Sequence, residues 1–291
     1  MLPYLLIGGL TSGSLYALIA LGLVLVYKST TIVNLALGDI LMIGGFLAFT
    51  FHVLLGVPYI PSLLLAVACG FVLGVVAERL VFRRLMQVTL LSMPLATVGL
   101  SFVLKGTGRM IWGGKGDYIP FPPLVKTEPI RVGEMLILPQ QFVVLGAALV
   151  IMLIFGLFFE RTRLGKWMQA TADNVKAARL VGIRIEQVYL YTFGVGAALA
   201  SAAAVLMAPI TLLFPDVGFI LFFKAFAAAI FGGLTSLRGA VVGGLLIGVV
   251  ETVAAGYIHT SLHDVAAFVV IIFALIFMPQ GLFGLRGMRR I

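Results

Sequence analysis

The stretch "PYLLIGGLTSGSLYALIALGLVLVY" (3–27) contains no Asp, Glu, Lys or Arg. An apolar run of about 20 residues suffices to cross a bilayer core about 30 Å thick as a helix. The run predicts a membrane-crossing helix. No basic segment precedes it, and it is too long for the apolar core of a cleavable leader, so it is expected to be retained as a span. Polar residues cluster in its middle. Thr11, Ser12, Ser14 and Tyr16 either line a pathway or bond to a neighbouring helix, and Thr11 and Ser14 are taken as candidate pathway residues.

The same pattern recurs along the 291 residues, near 32–55, 60–82, 90–112, 140–159, 187–210, 217–234, 239–258 and 265–280. The chain is 62% hydrophobic and 11% charged, against about 45–50% and about 25% in a soluble domain. Solid apolar runs exclude a β-barrel, whose strands alternate. The fold class is an all-α polytopic integral membrane protein of eight to nine transmembrane helices. Residues 1–291 form a single transmembrane domain with no soluble domain. Run 90–112 is the weakest because it holds Lys105 and Arg109, and run 217–234 is short and holds Lys224. The lone cysteine, Cys69, lies in an apolar run without a thiol or metal partner and reads as a spectator.

The net charge of +9 reflects cytoplasmic Lys and Arg, not nucleic-acid binding. With loop 161–186 inside and sides alternating, Lys28, Arg79, Arg83, Arg84, Arg238, the six basic residues of 161–186 and Arg286, Arg289 and Arg290 all fall inside. Only Lys115, Lys126 and Arg131 fall outside. That asymmetry predicts nine crossings, with the N-terminus outside and the C-terminus inside. The outside segment 113–138 is rich in Pro and Gly, which argues against helix. Its stretch "IRVGEMLIL" (130–138) allows a short strand pair.

The inside loop contains "GKWMQATADNVKAARLVGI" (165–183), a polar island in an oily chain. Thr171 or Asp173 suits a helix start, Asp173 favourably for the dipole. Asn174 follows, and Val175, Ala178, Leu180 and Val181 recur at helical spacing. Lys176 and Arg179 lie near the C-terminal half, Ala177 lies between them, and Gly182 is a natural stop. The expectation is a helix of about ten residues. A helix so short is marginal alone in water and needs a docking partner.

Charged residues within spans are functional candidates by default. Here they are Asp39, shortly after the polar Asn34, together with Lys224 and Glu251. Lys105 and Arg109, four apart, share one helix face. The series Gly239, Gly243, Gly244 and Gly248 suits close helix packing, and "FGGLTSLRG" (231–239) suits a tight turn. No catalytic set emerges. "GLVLVYKST" (22–30) has Tyr27 where a nucleotide-binding loop needs its second glycine. His259 and His263 have no third ligand to make a metal site.

The island and the following "AALASAAAVLMAP" (197–209) resemble the loop and next span of the Liv-type permeases. These are membrane subunits of ABC importers for branched-chain amino acids. "GLTSGSLYALIALGLVLVYKSTTIVNLALGDILMIGGFLAF" (9–49) and "FGGLTSLRGAVVGGLLIGVVETV" (231–253) resemble the same family in order, the former its H-type subunit. The resemblance implies a non-catalytic permease in a bacterial inner membrane, working with a related M-type permease. Two cytoplasmic ATPase subunits would hold ATP-Mg, and a periplasmic solute-binding protein would deliver the solute. No cofactor is expected on this chain. Segment 113–138 would be periplasmic, and residues 171–183 would form the coupling helix within cytoplasmic loop 161–186. The solute would be a branched-chain or other hydrophobic amino acid, or a relative such as urea, an amide or an aromatic acid. A stand-alone secondary transporter or channel is the competing expectation.

Overall fold

The computed structural model describes residues 2–85, 92–113, 118–125, 130–132, 135–260, 262–278 and 280–284. Among the described residues, nine long helices coincide with the nine apolar runs. In chain order they are α1 (Leu2–Thr30), α2 (Leu37–Phe49), α3 (Tyr59–Ala77), α5 (Ser92–Trp112), α6 (Pro139–Arg161), α9 (Ile185–Met207), α10 (Val217–Gly232), α11 (Leu237–Tyr257) and α12 (Leu262–Phe277). Three short helices, α4 (Arg83–Leu85), α7 (Arg163–Asp173) and α8 (Val175–Leu180), complete the set. Six of the spans, Leu2–Thr30, Leu37–Leu54, Tyr59–Leu85, Pro139–Arg161, Ile185–Met207 and Leu237–Tyr257, are long and apolar enough to cross a bilayer. The protein is a multi-pass helical membrane protein. Of the basic residues used to assign sides, Lys115, Lys126, Arg286, Arg289 and Arg290 lie outside the described residues.

Helix α1 is the axis of the bundle. Every residue from Gly13 to Val26 is buried, so the helix is enclosed on all faces and not amphipathic. Helices α9, α10, α11 and α6 surround it. The packing against α11 depends on missing side chains. A Cβ on Gly248 would sit 2.3 Å from the Gly13 Cα, and one on Gly244 would sit 2.5 Å from the Ala17 Cα. Without a hydrophobic drive between helices in lipid, such close backbone approach is what holds neighbours together. By contrast, α3 and α6 leave Leu64, Leu65, Val72, Leu153 and Ile154 exposed. Those faces suit lipid or a neighbouring subunit.

Both α2 and α3 run on through π turns, Thr50–Leu54 and Glu78–Phe82. The second turn carries a charge that the sequence reading passed over. Glu78 is 1% exposed and takes a two-pronged bond from Arg83, with Nε–Oε1 at 3.1 Å and Nη2–Oε2 at 3.0 Å. This answers the buried carboxylate in the geometry that only guanidinium offers.

The α5–α6 connection contains a strand pair, β1 (Ile130–Val132) antiparallel to β2 (Met135–Ile137), as the alternation in 130–138 allows. Ile119 exchanges backbone bonds of 2.8 and 2.9 Å with Leu213 in the α9–α10 connection. The Gln140 side-chain oxygen accepts from the Leu124 and Val125 amides, and Phe121 lies against His52 and Tyr59. The connection is thus fastened across the bundle end. At the opposite end "FGGLTSLRG" makes the expected tight turn. Ser236 caps α11 by accepting from the Gly239 amide at 3.1 Å.

Candidate functional site

The polar island folds differently from its sequence-based expectation. It is two helices with a break, not one helix of about ten residues. Thr162 caps α7, its hydroxyl accepting from the Gly165 amide at 3.0 Å. Thr171 and Asp173 do not start a helix: Thr171 is fully buried in the last turns of α7 and Asp173 closes it. The start belongs to Asn174, whose φ of −159° breaks the run. Its side-chain oxygen accepts from the Ala177 amide at 3.0 Å, satisfying a free helix-end donor. Helix α8 then lasts six residues, Val175–Leu180.

Gly182 ends α8 with φ +85°. Its amide donates to the Arg179 carbonyl at 3.1 Å, and the Ile183 amide donates to the Ala178 carbonyl at 3.0 Å. That bond pair is a Schellman stop, which favours glycine in the left-handed region. Ala178 turns inward at 3% exposure, while Leu180 and Val181 stand out at 89% and 76%. Lys176, Ala177 and Arg179 are also exposed. The apolar positions grouped by spacing are therefore split. Ala178 is buried, Val175 is half-buried, and Leu180 and Val181 face outward.

The polar groups of α1 and the α1–α2 connection are engaged locally. The Thr11 hydroxyl donates to the Ile7 carbonyl at 2.8 Å and approaches the Gln141 carbonyl at 3.4 Å. The Ser14 hydroxyl donates to the Thr11 carbonyl at 2.7 Å. The Asn34 side-chain oxygen accepts from the Ala36 amide at 3.2 Å and organises the entry to α2. All three residues are at most 2% exposed.

Lys224 and Glu251 are joined to each other. They pair across α10 and α11 in a contact buried at both ends. The Lys224 ammonium also lies over the Tyr16 ring of α1, 6.0 Å from its centroid, which adds cation–π attraction. The three central helices meet at this pair. It closes one charge with another where neither can reach water.

A second charged group runs along α5. Ser101, Lys105 and Arg109 lie at four-residue spacing on one face. The Ser101 hydroxyl bonds the Asp39 carboxylate of α2. Lys105 and Arg109 each reach Asp216, at the start of α10, at 3.0 Å, and Lys105 also lies over the Phe219 ring at 5.3 Å. Sequence reasoning noticed the shared face of Lys105 and Arg109 and missed Asp216 and Ser101. Their partnership spans 107 and 62 positions, and no local pattern signals it.

The Lys105 hydrogen bond, outweighing partial burial, holds the Asp216 carboxyl below its ordinary value of 3.8. A depressed folded pKa contributes stability above the unfolded value and loses it as pH falls through the folded value. Asp216→Asn is therefore expected to lower stability at neutral pH by less than about 1 kcal/mol for so exposed a pair, seen as a slightly lower thermal midpoint. The difference from wild type should close in strong acid. A thermal series of both proteins against pH checks it.

A bundle built on a fully enclosed first helix, with paired charges in its helices and a capped short helix in one loop, defines a polytopic helical membrane protein. Among the described residues no group of three or more His, Cys, Asp or Glu is placed to hold a metal ion. The family described as branched-chain amino acid transport system, permease component, matches residues 5–275. The chain is 33% identical to the high-affinity branched-chain amino acid transport system permease protein BraD of Pseudomonas aeruginosa, covering 96% of this chain and 94% of that one. It is 32% identical to the permease protein LivH of Escherichia coli K12, covering 95% and 93%. The solved structure of PsaBC from Streptococcus pneumoniae in complex with Fab shares the fold, with a TM-score of 0.55 at 16% identity over 96% of this chain and 92% of that one. The chain belongs to the branched-chain amino acid transport permease family, whose members are ABC transporter permease subunits.

Proposed function

We propose that this chain is the H-type permease of an importer for branched-chain or other hydrophobic amino acids in a bacterial inner membrane. It spans the membrane as one domain, with its N-terminus and segment 113–138 in the periplasm. Loop 161–186 and the C-terminus are cytoplasmic. It pairs with a related M-type permease. Two cytoplasmic ATPase subunits hydrolyse ATP-Mg beneath the pair, and a periplasmic binding protein supplies the solute. This chain contributes no catalytic group and binds no cofactor. The near full-length likeness to BraD and LivH supports this over a stand-alone transporter.

The observation that carries the coupling role is the bare Leu180–Val181 end of α8, which follows the exposed Lys176 and Arg179. Exposed apolar residues on a helix too short to stand alone suit a groove on a peripheral protein. The N-terminal cap by Asn174 and the stop at Gly182 hold that end rigid, as force transfer requires. Ala177→Glu and Leu180→Glu are expected to abolish amino-acid uptake in the reconstituted importer while the partner ATPases continue to hydrolyse ATP. Uptake still coupled to hydrolysis in both variants would refute the docking role. Sidedness has its own check. With Cys69 replaced by alanine, a cysteine at Lys176 should be labelled by an impermeant reagent only from the cytoplasmic face.

A further inference from the structure

The charges along α5 form a graded series. Arg109 and Asp216 have 57% and 50% of their side chains exposed, Lys105 has 19%, and Asp39 is 3% exposed. Signs alternate along the path, from Arg109 to Asp216, to Lys105, to Asp39. Two carboxylates balance two cations. Charged groups within membrane spans almost always face a partner or a water-filled route.

Asp39 is the anomaly in this set. Ser101 bonds one carboxylate oxygen. The other, Oδ1, is buried and has no hydrogen-bond partner among the described residues. A buried carboxylate oxygen left unanswered is costly, and it can accept one more donor. An apolar cleft of about 480 Å³ lies between α2, α3 and α5, with Ile43, Leu47, Leu104 and Ile111 in its walls. Ile43 lies one helical turn beyond Asp39 on α2, and Leu104 lies three residues beyond Ser101 on α5. The cleft walls thus begin within about one helical turn of Asp39 and Ser101, which do not themselves line it.

We propose that Asp39 and Lys105 form a head-group site for a zwitterionic α-amino acid, entered past Arg109 and Asp216. The solute ammonium donates to Asp39 Oδ1, and its carboxylate competes with Asp216 for Lys105. The apolar side chain enters the cleft between α2, α3 and α5. A zwitterion adds no net charge to a balanced set, so it can be taken up and released without leaving an unpaired ion behind. Leucine fits this chemistry. 4-Methylpentanoate and isopentylamine, which each keep one charge, do not. This site rests on the amino-acid importer reading above and names its solute contacts.

The test uses the complete importer in proteoliposomes with saturating leucine-loaded binding protein. Asp39→Asn and Lys105→Gln are expected to lower leucine uptake by about ten- to a hundredfold, the scale of one charge-assisted hydrogen bond. Assembly with the partner subunits and ATP hydrolysis should persist. Should Asp39→Asn fail to assemble, Lys105→Gln and Ser101→Ala decide, with Ser101→Ala expected to cost only a few-fold. Wild-type leucine uptake in the assembled variants overturns the head-group site and leaves the importer reading standing. A wild-type importer that moves no amino acid overturns both.

Discussion

Replacing Lys224 with methionine is expected to remove most of the folded protein from a detergent extract. Glu251→Leu should do the same. Each removes one charge of a pair that is 5% and 1% exposed and takes that charge's attraction away from the other member. Breaking a buried pair from one side costs about 3–5 kcal/mol. That is a large share of a stability that is commonly about 5–15 kcal/mol. The double variant Lys224→Met/Glu251→Leu removes both charges and keeps comparable volume. It is expected to recover most of the monodisperse protein, because apolar replacement of a whole buried pair is often neutral. Fluorescence-detected size exclusion with a thermal ramp reads all three. Single variants with the wild-type midpoint would show that the pair does not hold α10 to α11. A double variant no better than the singles would show that the charges serve more than one another.

Gly248→Leu is expected to be as damaging for a different reason. A Cβ at Gly248 would lie 2.3 Å from the Gly13 Cα and N and 2.4 Å from the Gly9 carbonyl oxygen. All three atoms are backbone, so no side chain can swing aside. Helices α1 and α11 must separate, and α1 is the axis on which four other helices pack. Overpacking a core with side chains around it costs about 1–3 kcal/mol, and a backbone clash exceeds that. Gly248→Ala should already lower the thermal midpoint by several degrees. Gly146→Ala is the internal control. Nothing lies within 4 Å of the added carbon there, and alanine is the better helix former by about 1 kcal/mol. It should be neutral or slightly stabilising. Equal damage at both positions would mean that the loss at Gly248 does not come from contact with α1.

The positions of the spans were legible from composition because lipid leaves the backbone one choice. Each peptide group must bond within its own helix, so a long apolar run and a helix are nearly the same statement. The nine runs and the nine long helices agree to within a few residues, including the weak run at α5 and the short one at α10. The glycine series of α11 was legible as a packing face for the same reason of spacing. Gly182 was legible as a stop because the left-handed region selects glycine. The cap of α8 was misread. Thr171, Asp173 and Asn174 all favour helix starts, and spacing alone does not say which side chain turns back to the amides. Docking of α7, which buries Thr171 and Met168, settles it in favour of Asn174.

By itself, then, the amino-acid order determined that this is a multi-pass helical protein and where its helices run. Those properties follow from hydropathy and backbone satisfaction, which act over one or two helical turns. Only the tertiary structure decided which intramembrane charge answers which: Lys224 to Glu251, Lys105 and Arg109 to Asp216, and Ser101 to Asp39. Each partnership joins helices far apart in the chain. It is set by how backbones with matched glycines come together, a three-dimensional contact that no one-dimensional spacing encodes.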